Sequence, residues 1–498
     1  MDFMQLLLDP VCIVAIALAL LSILYVLKRN GYNNLPPGPK PWPIVGNIPN
    51  VRGGGAIYEV ATNLRQQYGD VVRLKLGPIN NLILIMGKDK IHKAAVTMND
   101  KFKYRPTNFF ATNYIFKQKG IVLSNGDVHA AIRKFTLGTM RDFGVGKKSL
   151  EGRMQEEAGM LTEVLEKQGG KPAYLLDTFK MAVANIIAGI VYGNRFEYDD
   201  PEFHGLIANI DRIFKDLSIF LPENSFPALR FLPGSKLSKV FTIFKDLEKY
   251  AKSRIEEHRA TFDPDNIRDF VDIFLKHEGE SSGDDAINED NLFRVIVDLF
   301  NAGTDTTATT VTWAIIHLIK QPDIQDKCRK EIMEVVGTGR YISLEDKKNM
   351  PYLQAFIHEV LRYCTIAPQT VPHTVMEDTE FEGYTIPKNS IVLFIIYTLL
   401  MDKEKWGDPE NFRPERFLSE TGQLAEDKAH FAPFGLGGRS CVGKHLAKQE
   451  LFIFLGTLIQ RFKFKSPPGS PPPSTRRIQT GITSQPERYD ICAVPLNK

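Results

Sequence analysis

Phe434-Gly435-Leu436-Gly437-Gly438-Arg439-Ser440-Cys441-Val442-Gly443 is the stretch on which the reading of this chain turns. It sets one cysteine in a glycine-rich loop, just ahead of an apolar run from Val442 to Phe462 with helical spacing. A cysteine so placed faces the unpaired N–H groups and positive end of a helix, which favours thiolate over thiol. Thiolate sulfur is a strong axial donor to iron. With ordinary residue frequencies, Phe434, Gly437, Arg439, Cys441 and Gly443 fall at these spacings about once in ten thousand chains of this length. A lone buried cysteine after a turn is the bland alternative, and those odds set it aside.

Upstream, Asn291–Ile319 is about 29 residues of nearly continuous helix former, closed by Pro322, or roughly 43 Å at helical rise. Its centre, Asn301-Ala302-Gly303-Thr304-Asp305-Thr306-Thr307, puts polar groups and a glycine inside an apolar helix. Asp298 and Asp305 make a membrane span there expensive. The other plain reading is a core helix whose threonines bond the carbonyl at i−4. For Thr306 that acceptor is Ala302, and such a bond beside Gly303 would widen the helix into a groove for O₂ and water. Further on, Glu359 and Arg362 share a face of the helix expected over Tyr352–Tyr363. Alone, Glu-x-x-Arg carries little weight in a chain this long.

The cysteine loop together with the Ala-Gly-x-Asp-Thr-Thr element resembles the cytochrome P-450 family, over essentially all 498 residues. The resemblance implies a mainly α fold with a small mixed β-sheet region. It makes Cys441 the metal ligand of haem b (iron protoporphyrin IX), with Phe434 and Gly443 in the same cofactor loop. Asp305 and Thr306 become the family's acid–alcohol pair: the hydroxyl orders oxygen and a water, and the carboxylate relays protons from solvent. Ala302, with Gly303, keeps side-chain bulk away from the iron. Arg105, His129, Arg133, His373 and Arg439 are nominated as propionate partners. Here the chain departs from its relatives' Trp-x-x-x-Arg, having His129-Ala130-Ala131-Ile132-Arg133; a histidine's charge depends on pH, and a solvated face is the alternative. Within Phe412–Phe417, Arg416 would complete a structural triad with Glu359 and Arg362, buried charges that must all be paired.

By position, the resemblance puts Phe109, Phe110, Phe116, Phe300, Ala302, Ile366, Ala367, Thr370, Val371 and Ile482 around the substrate. That lining suits a lipophilic small molecule such as a steroid, fatty acid or xenobiotic. The run Ile366–His373 is most like the animal microsomal branch of drug- and steroid-oxidising enzymes. The implied activity is a monooxygenase that inserts one atom of O₂, with electrons from NADPH through an NADPH-cytochrome reductase, or cytochrome b5. A basic patch of Arg133, Lys134, Arg141, Lys444, His445 and Lys448 could steer such acidic partners, or be ordinary solvated lysines and arginines. Alternatives are a haem-thiolate isomerase or dehydratase, which has no need of the acid–alcohol pair, and a haem-binding protein without catalysis.

Composition is consistent with this. A net charge of +3 is too small to suggest a nucleic-acid partner. Five cysteines without paired spacing argue against a disulfide framework and for a reducing, cytosol-facing location. Val11–Leu27 is an apolar run of 17 residues, closed by Lys28 and Arg29, at the lower limit for a spanning helix. A cleaved signal peptide is the alternative, but the positive charge follows the run instead of preceding it. The expectation is a single-pass anchor in the endoplasmic reticulum membrane over residues 1–29, a proline-rich hinge over 30–48, and one cytosolic catalytic domain over 49–498. Lys276–Asp290 and Ser466–Ser474 read as surface loops. Ile57–Tyr68 reads as a helix ended by Gly69, Val71–Leu76 and Leu82–Met86 as a hairpin, and Ile391–Ile396 as a strand. Between Arg212 and Lys245, phenylalanines broken by Pro222, Pro227 and Pro233 suit a helix pair with core aromatics, or an apolar lid that touches the membrane.

Overall fold

The computed structural model describes residues 34–52, 56–77, 80–107, 112–143, 148–216, 221–232, 234–280, 286–425, 430–480 and 482–496, with Val14 and Ala17. Its described helices of eight or more residues are α1 Ile57–Tyr68, α2 Gly126–Asp142, α3 Lys148–Gln168, α4 Leu176–Val191, α5 Pro201–Asp216, α6 Lys236–Ala260, α7 Phe270–Glu280, α8 Glu289–Lys320, α9 Pro322–Val335, α10 Pro351–Cys364 and α11 Lys444–Arg461. Helix dominates, as the mainly α expectation has it.

Residues Val71–Leu76 (β1) and Asn80–Ile85 (β2) form an antiparallel hairpin, with Val71 opposite Ile85 and Leu76 opposite Asn80. The second strand starts two residues earlier than its apolar run, because Asn80 and Asn81 still pair across the ladder. His373–Thr374 is β3, Thr379–Phe381 β4, Tyr384–Ile386 β5 and Ile391–Phe394 β6. A four-stranded mixed sheet runs β1-β2-β6-β3, with β2 and β6 parallel. Strand alternation sends Val72, Leu74, Leu82, Leu84, Ile391 and Leu393 to a small core under α1. Val71, Ile83, Ile85, Val392 and Phe394 point the other way, into the main core. Both faces are covered, so β6 and β2 from Leu82 on read as continuous apolar runs, while β1 carries Arg73 and Lys75 between its buried residues. Phe462–Lys465 (β7) pairs with Cys492–Pro495 (β10), and Arg477–Thr480 (β8) with Thr483–Pro486 (β9).

Helix α8 is the axis of the molecule. Asn288 caps it by accepting from the Asn291 N–H at 3.0 Å, Glu289 and Asp290 fill its first turn, and Lys320 its last, as the helix dipole favours. Helix α4 packs along it, and Trp313 is fully buried, donating from Nε1 to the Ser484 carbonyl at 3.1 Å.

Two expectations shift at their edges. The helix after the cysteine begins at Lys444 and stops at Arg461, since Phe462 opens β7. Helix α7 carries the stretch after Lys276 on to Glu280, so only the later part of that expected loop lies outside it. The Arg212–Lys245 region holds the end of α5, two short turns at Pro222–Ser225 and Pro227–Phe231, and the start of α6. The expected anchor lies outside the described residues save for Val14 and Ala17, and among the described residues no helix is long and apolar enough to cross a membrane.

Candidate active site

The cysteine loop is built to a tight specification. Gly437 has φ 72°, and a Cβ there would lie 1.8 Å from the Ala95 carbonyl oxygen, so only glycine fits. The adjoining Gly438 N–H donates to Asn99 Oδ1 at 3.2 Å, and Ser440 N–H to the Gly437 carbonyl at 3.1 Å. The Cys441 N–H reaches back to the Phe434 carbonyl at 2.9 Å, closing the loop. Gly443 is the N-cap of α11, so the cysteine stands at that helix's positive end, and Phe434 is half-buried beneath Lys448.

Cys441 is exposed, yet the protein packed around it desolvates the thiol. Burial pushes the thiol above its usual value, with the Gly443 N–H, Arg133 and Lys444 pulling the other way. The expected preference for thiolate is therefore not met by the helix end alone; a cation such as iron must supply the rest.

Three arginines and two histidines gather beside this loop. Arg439 donates from Nε to the Lys103 carbonyl at 2.8 Å and from Nη2 to the Ser124 carbonyl at 2.7 Å. Arg105, 5% exposed, donates to the carbonyls of Val122, Val371 and Pro372 at 2.9–3.0 Å. Arg133 Nη2 holds the Ser440 carbonyl at 2.9 Å. Buried His373 turns Nδ1 to the Phe102 carbonyl at 2.7 Å. Two polar atoms are left over: Arg439 Nη1 and His129 Nε2 are buried without a hydrogen-bond partner.

The charges in this cluster oppose one another. Burial, then Arg133, lowers Arg439 to about 10. Burial, then Arg439, Arg133 and Arg105, lowers His129 to about 3. Burial first, then Arg439 and Arg133, holds Arg105 well below its usual value. Alongside runs a cavity of about 490 Å³ whose charged lining is Lys103, Arg133, Lys134, Arg141 and Arg439, with His129. Buried cations with orphaned donors and no acid in their lining fit a dianion such as the two propionates of haem.

On α8 one face opens. Ala302 is exposed and Gly303 and Thr306 half-exposed, in the middle of a helix otherwise buried for several turns. Thr306 Oγ1 donates to the Ala302 carbonyl at 2.7 Å, the i−4 bond its sequence position suggests. The helix stays α across this point. Phe300 is two residues from Ala302, some 200° round the helix, and packs at a tilt on Tyr192, 5.7 Å between ring centres, against α6. It belongs to the far side of α8 and not to the open face.

Asp305 is 1% exposed and fully engaged. It accepts from Thr483 Oγ1 at 2.9 Å and Gln485 Nε2 at 3.1 Å on β9, and pairs with Lys180 Nζ of α4 at 3.1 Å. Lys180 is 2% exposed and also reaches Asp211 of α5 at 2.5 Å. Burial pulls this lysine's pKa down, but Asp305 and Asp211 outweigh it and raise the value. The carboxylate thus connects toward the surface through Lys180 and Asp211, and through the half-buried Gln485. Lys180, Thr483 and Gln485 escaped the sequence reading. A lone lysine within Leu175–Ile187 was a usable signal; Thr483 and Gln485 gave none.

The remaining nominees are brought together in part. The Ser484 N–H donates to the Ile366 carbonyl at 2.8 Å, so the Ile366–Val371 loop lies beside β9 and Ile482. Thr370 Oγ1 accepts from the Phe394 N–H at 3.2 Å, and the Val371 carbonyl takes Arg105. Ala367, Val371 and Ile482 are half-buried. Phe116 packs edge-on to Phe244 at 5.1 Å. Phe109 and Phe110 lie outside the described residues.

Glu359 and Arg362, both fully buried, pair in a fork at 2.7 and 2.8 Å. Arg416 Nε adds a third bond to Glu359 at 3.1 Å. Arg362 further donates to the Leu400 and Pro409 carbonyls, and Arg416 to those of Trp406 and Asn411, each at 2.9 Å. The triad's charges are paired and the segment after Leu400 is tied to α10.

Residues 36–493 match the sequence profile of the family described as Cytochrome P450. Cytochrome P450 2B2 of Rattus norvegicus is 37% identical over 494 residues, which is 97% of this chain and 99% of the rat protein. Cytochrome P450 2J2 of Homo sapiens is 38% identical over 477 residues, 94% of this chain and 93% of the human one. Cytochrome P450 2B4 of Oryctolagus cuniculus is 36% identical over 487 residues, 96% and 98% of the two chains. With its cysteine loop, its carboxylate-free arginine cluster and this end-to-end similarity, the chain belongs to the cytochrome P450 family, as a haem b oxidoreductase of the monooxygenase kind.

Proposed function

We propose that this chain oxygenates lipophilic small molecules in the chamber between the Cys441 loop and the open face of α8, working at the endoplasmic reticulum membrane with an NADPH-dependent flavoprotein reductase. The observation that carries the reading is the pairing of a reachable, enclosed Cys441 with buried arginine and histidine donors that lack an anion. Bound haem supplies the one-electron and dioxygen chemistry.

The chain's own residues do the rest. Cys441 Sγ would hold the haem iron, with the Gly443 N–H and Arg133 favouring its anion. Arg105, Arg133, Arg439 and His129 would hold the propionates, and His373, already bonded through Nδ1, has Nε2 to offer. Thr306 Oγ1 lies at the open face, where turning from the Ala302 carbonyl lets it donate to a neighbouring oxygen. Asp305, paired with Lys180, which also reaches the half-buried Asp211, stands at the inner end of a chain of polar groups along which a proton can enter. Ala302 and Gly303 leave that face free of bulk.

Exposed Phe231 and Leu232, at 75% and 58%, with the apolar run Val11–Leu27, support a membrane-seated entrance. Lys444, His445 and Lys448 with Arg133, Lys134 and Arg141 support docking of an acidic reductase. The test is turnover of a lipophilic substrate by purified full-length protein with reductase and NADPH under isotopically labelled O₂. One labelled oxygen in the product is expected. Label-free product, or rearrangement of a hydroperoxide without NADPH, contradicts the reading.

A further inference from the structure

We propose that Thr483 and Gln485 are positioning residues for the oxygenation: from one face of β9 they hold Asp305 and the neighbouring Ile482 turn as a single unit. This rests on the monooxygenase reading above and adds two residues to it. Thr483 and Gln485 are two positions apart on a strand, so their side chains leave β9 on the same side. That side meets α8, and both end on one carboxylate. Thr483 Oγ1 donates to Asp305 Oδ2 at 2.9 Å, and Gln485 Nε2 to Oδ1 at 3.1 Å.

The strand has few other supports. Among the described residues β8 and β9 pair only with each other, and a lone two-stranded hairpin is marginal in water. Arg477 fastens its open end to the Tyr363 carbonyl. In the middle, the Ser484 carbonyl accepts from Trp313 Nε1 and the Ser484 N–H donates to the Ile366 carbonyl. Thr483 stands nearest the turn and adjoins Ile482, so its bond to Asp305 is the one that fixes the substrate end. Thr483 is 1% exposed, which leaves solvent little access to make good a bond lost there.

The same bonds fix the acid. Asp305 Oδ1 also pairs with Lys180 Nζ of α4, which reaches on to Asp211. A carboxylate gripped by a single ammonium can turn about its side-chain torsions. One gripped from a helix and a strand together keeps one orientation, and bonds to an ionised group are the strong ones. Loosening β9 should therefore shift proton supply and the choice of carbon together.

The experiment compares the haem-loaded full chain with Thr483→Val, Gln485→Leu and Thr483→Ser, each checked for haem content. Thr483→Val keeps the side chain's shape and loses its donor, whereas Thr483→Ser keeps the donor. The first readout needs no substrate: amide hydrogen exchange over residues 477–486. Exchange should be at least about ten-fold faster in Thr483→Val and near wild type in Thr483→Ser. The second is oxidation of dodecane with reductase and NADPH, scored as the ratio of isomeric dodecanols and as product per NADPH. Both scores should move in Thr483→Val and Gln485→Leu and return in Thr483→Ser. Unchanged exchange in Thr483→Val and Gln485→Leu overturns the inference. So does faster exchange with both scores unmoved, which leaves the pair a purely structural tie. Should Thr483→Val fail to take up haem, Gln485→Leu, altered at a half-buried position, decides by the same two outcomes. A wild type that oxygenates no lipophile overturns the reading beneath, while the exchange result still judges the tie to Asp305.

Discussion

Thr306 illustrates how one side chain can serve the fold and the chemistry together. Its hydroxyl closes a bond to the Ala302 carbonyl at 2.7 Å, yet it stands on the partly open face midway along α8. Losing the hydroxyl leaves helix and haem site intact and removes only an ordering donor. Thr306→Ala should therefore keep haem content and NADPH consumption near wild type while the product formed per NADPH falls several-fold, the range for one general acid–base group being 10²–10⁴ in the assisted step. Parallel measurement of NADPH loss and product checks this; unchanged coupling would remove Thr306 from the mechanism. At this scale the cysteine loop was legible because its glycines answer to hard geometry, as Gly437 against Ala95 makes plain. Lys180 was not, because its partners Asp211 and Asp305 are 31 and 125 positions away and meet it only in the fold.

Between elements, buried charge decides what can change. Glu359 ties α10 to the segment carrying Arg413 and Arg416, and also accepts the Arg413 N–H at 2.8 Å. Glu359→Ala leaves the buried Arg362 without an anion and Arg416 with Asp408 alone, at 3.1 Å, and should destabilise the protein by about 3–5 kcal/mol. Haem incorporation on expression should drop with it, measured as haem per chain; full incorporation would contradict the structural role.

Glu450 on α11 is the opposite case. It is 1% exposed, leans on the Thr307 hydroxyl, and has Oε1 without a partner. Burial raises its carboxyl to about 8, against about 4.3 in an unfolded chain. Above about 4.3 the unfolded chain releases this proton and the native one keeps it, so stability falls as pH rises from about 4.3 to about 8. Glu450→Gln lacks that slope. Its melting temperature should exceed wild type at neutral pH, by a margin that grows across this window and closes in acid. Parallel melting curves would show that Glu450 ionises freely. Helix α8 and the hairpin were readable from spacing and period. The face that Phe300 takes was not, since resemblance by position nominated a residue which the helical turn carries to the far side.

For the molecule as a whole, the sheet with two covered faces, the central α8 and the triad beneath the loop converge on one task. They hold a cysteine at a helix end beside cations that have no acid of their own. The mainly α architecture followed from long helical periods, while the sheet order β1-β2-β6-β3 did not, because β2 pairs with a strand some 310 residues further on. The central claim is that Cys441 sulfur binds haem iron as an anion, even though burial pushes the free thiol upward. Its most direct test is the spectrum of the reduced, CO-treated full-length protein beside Cys441→Ala. The wild-type protein should give the red-shifted band of a thiolate-ligated haem and the variant should lose it. An unchanged thiolate band in Cys441→Ala, or none in the haem-loaded wild type, would contradict the account.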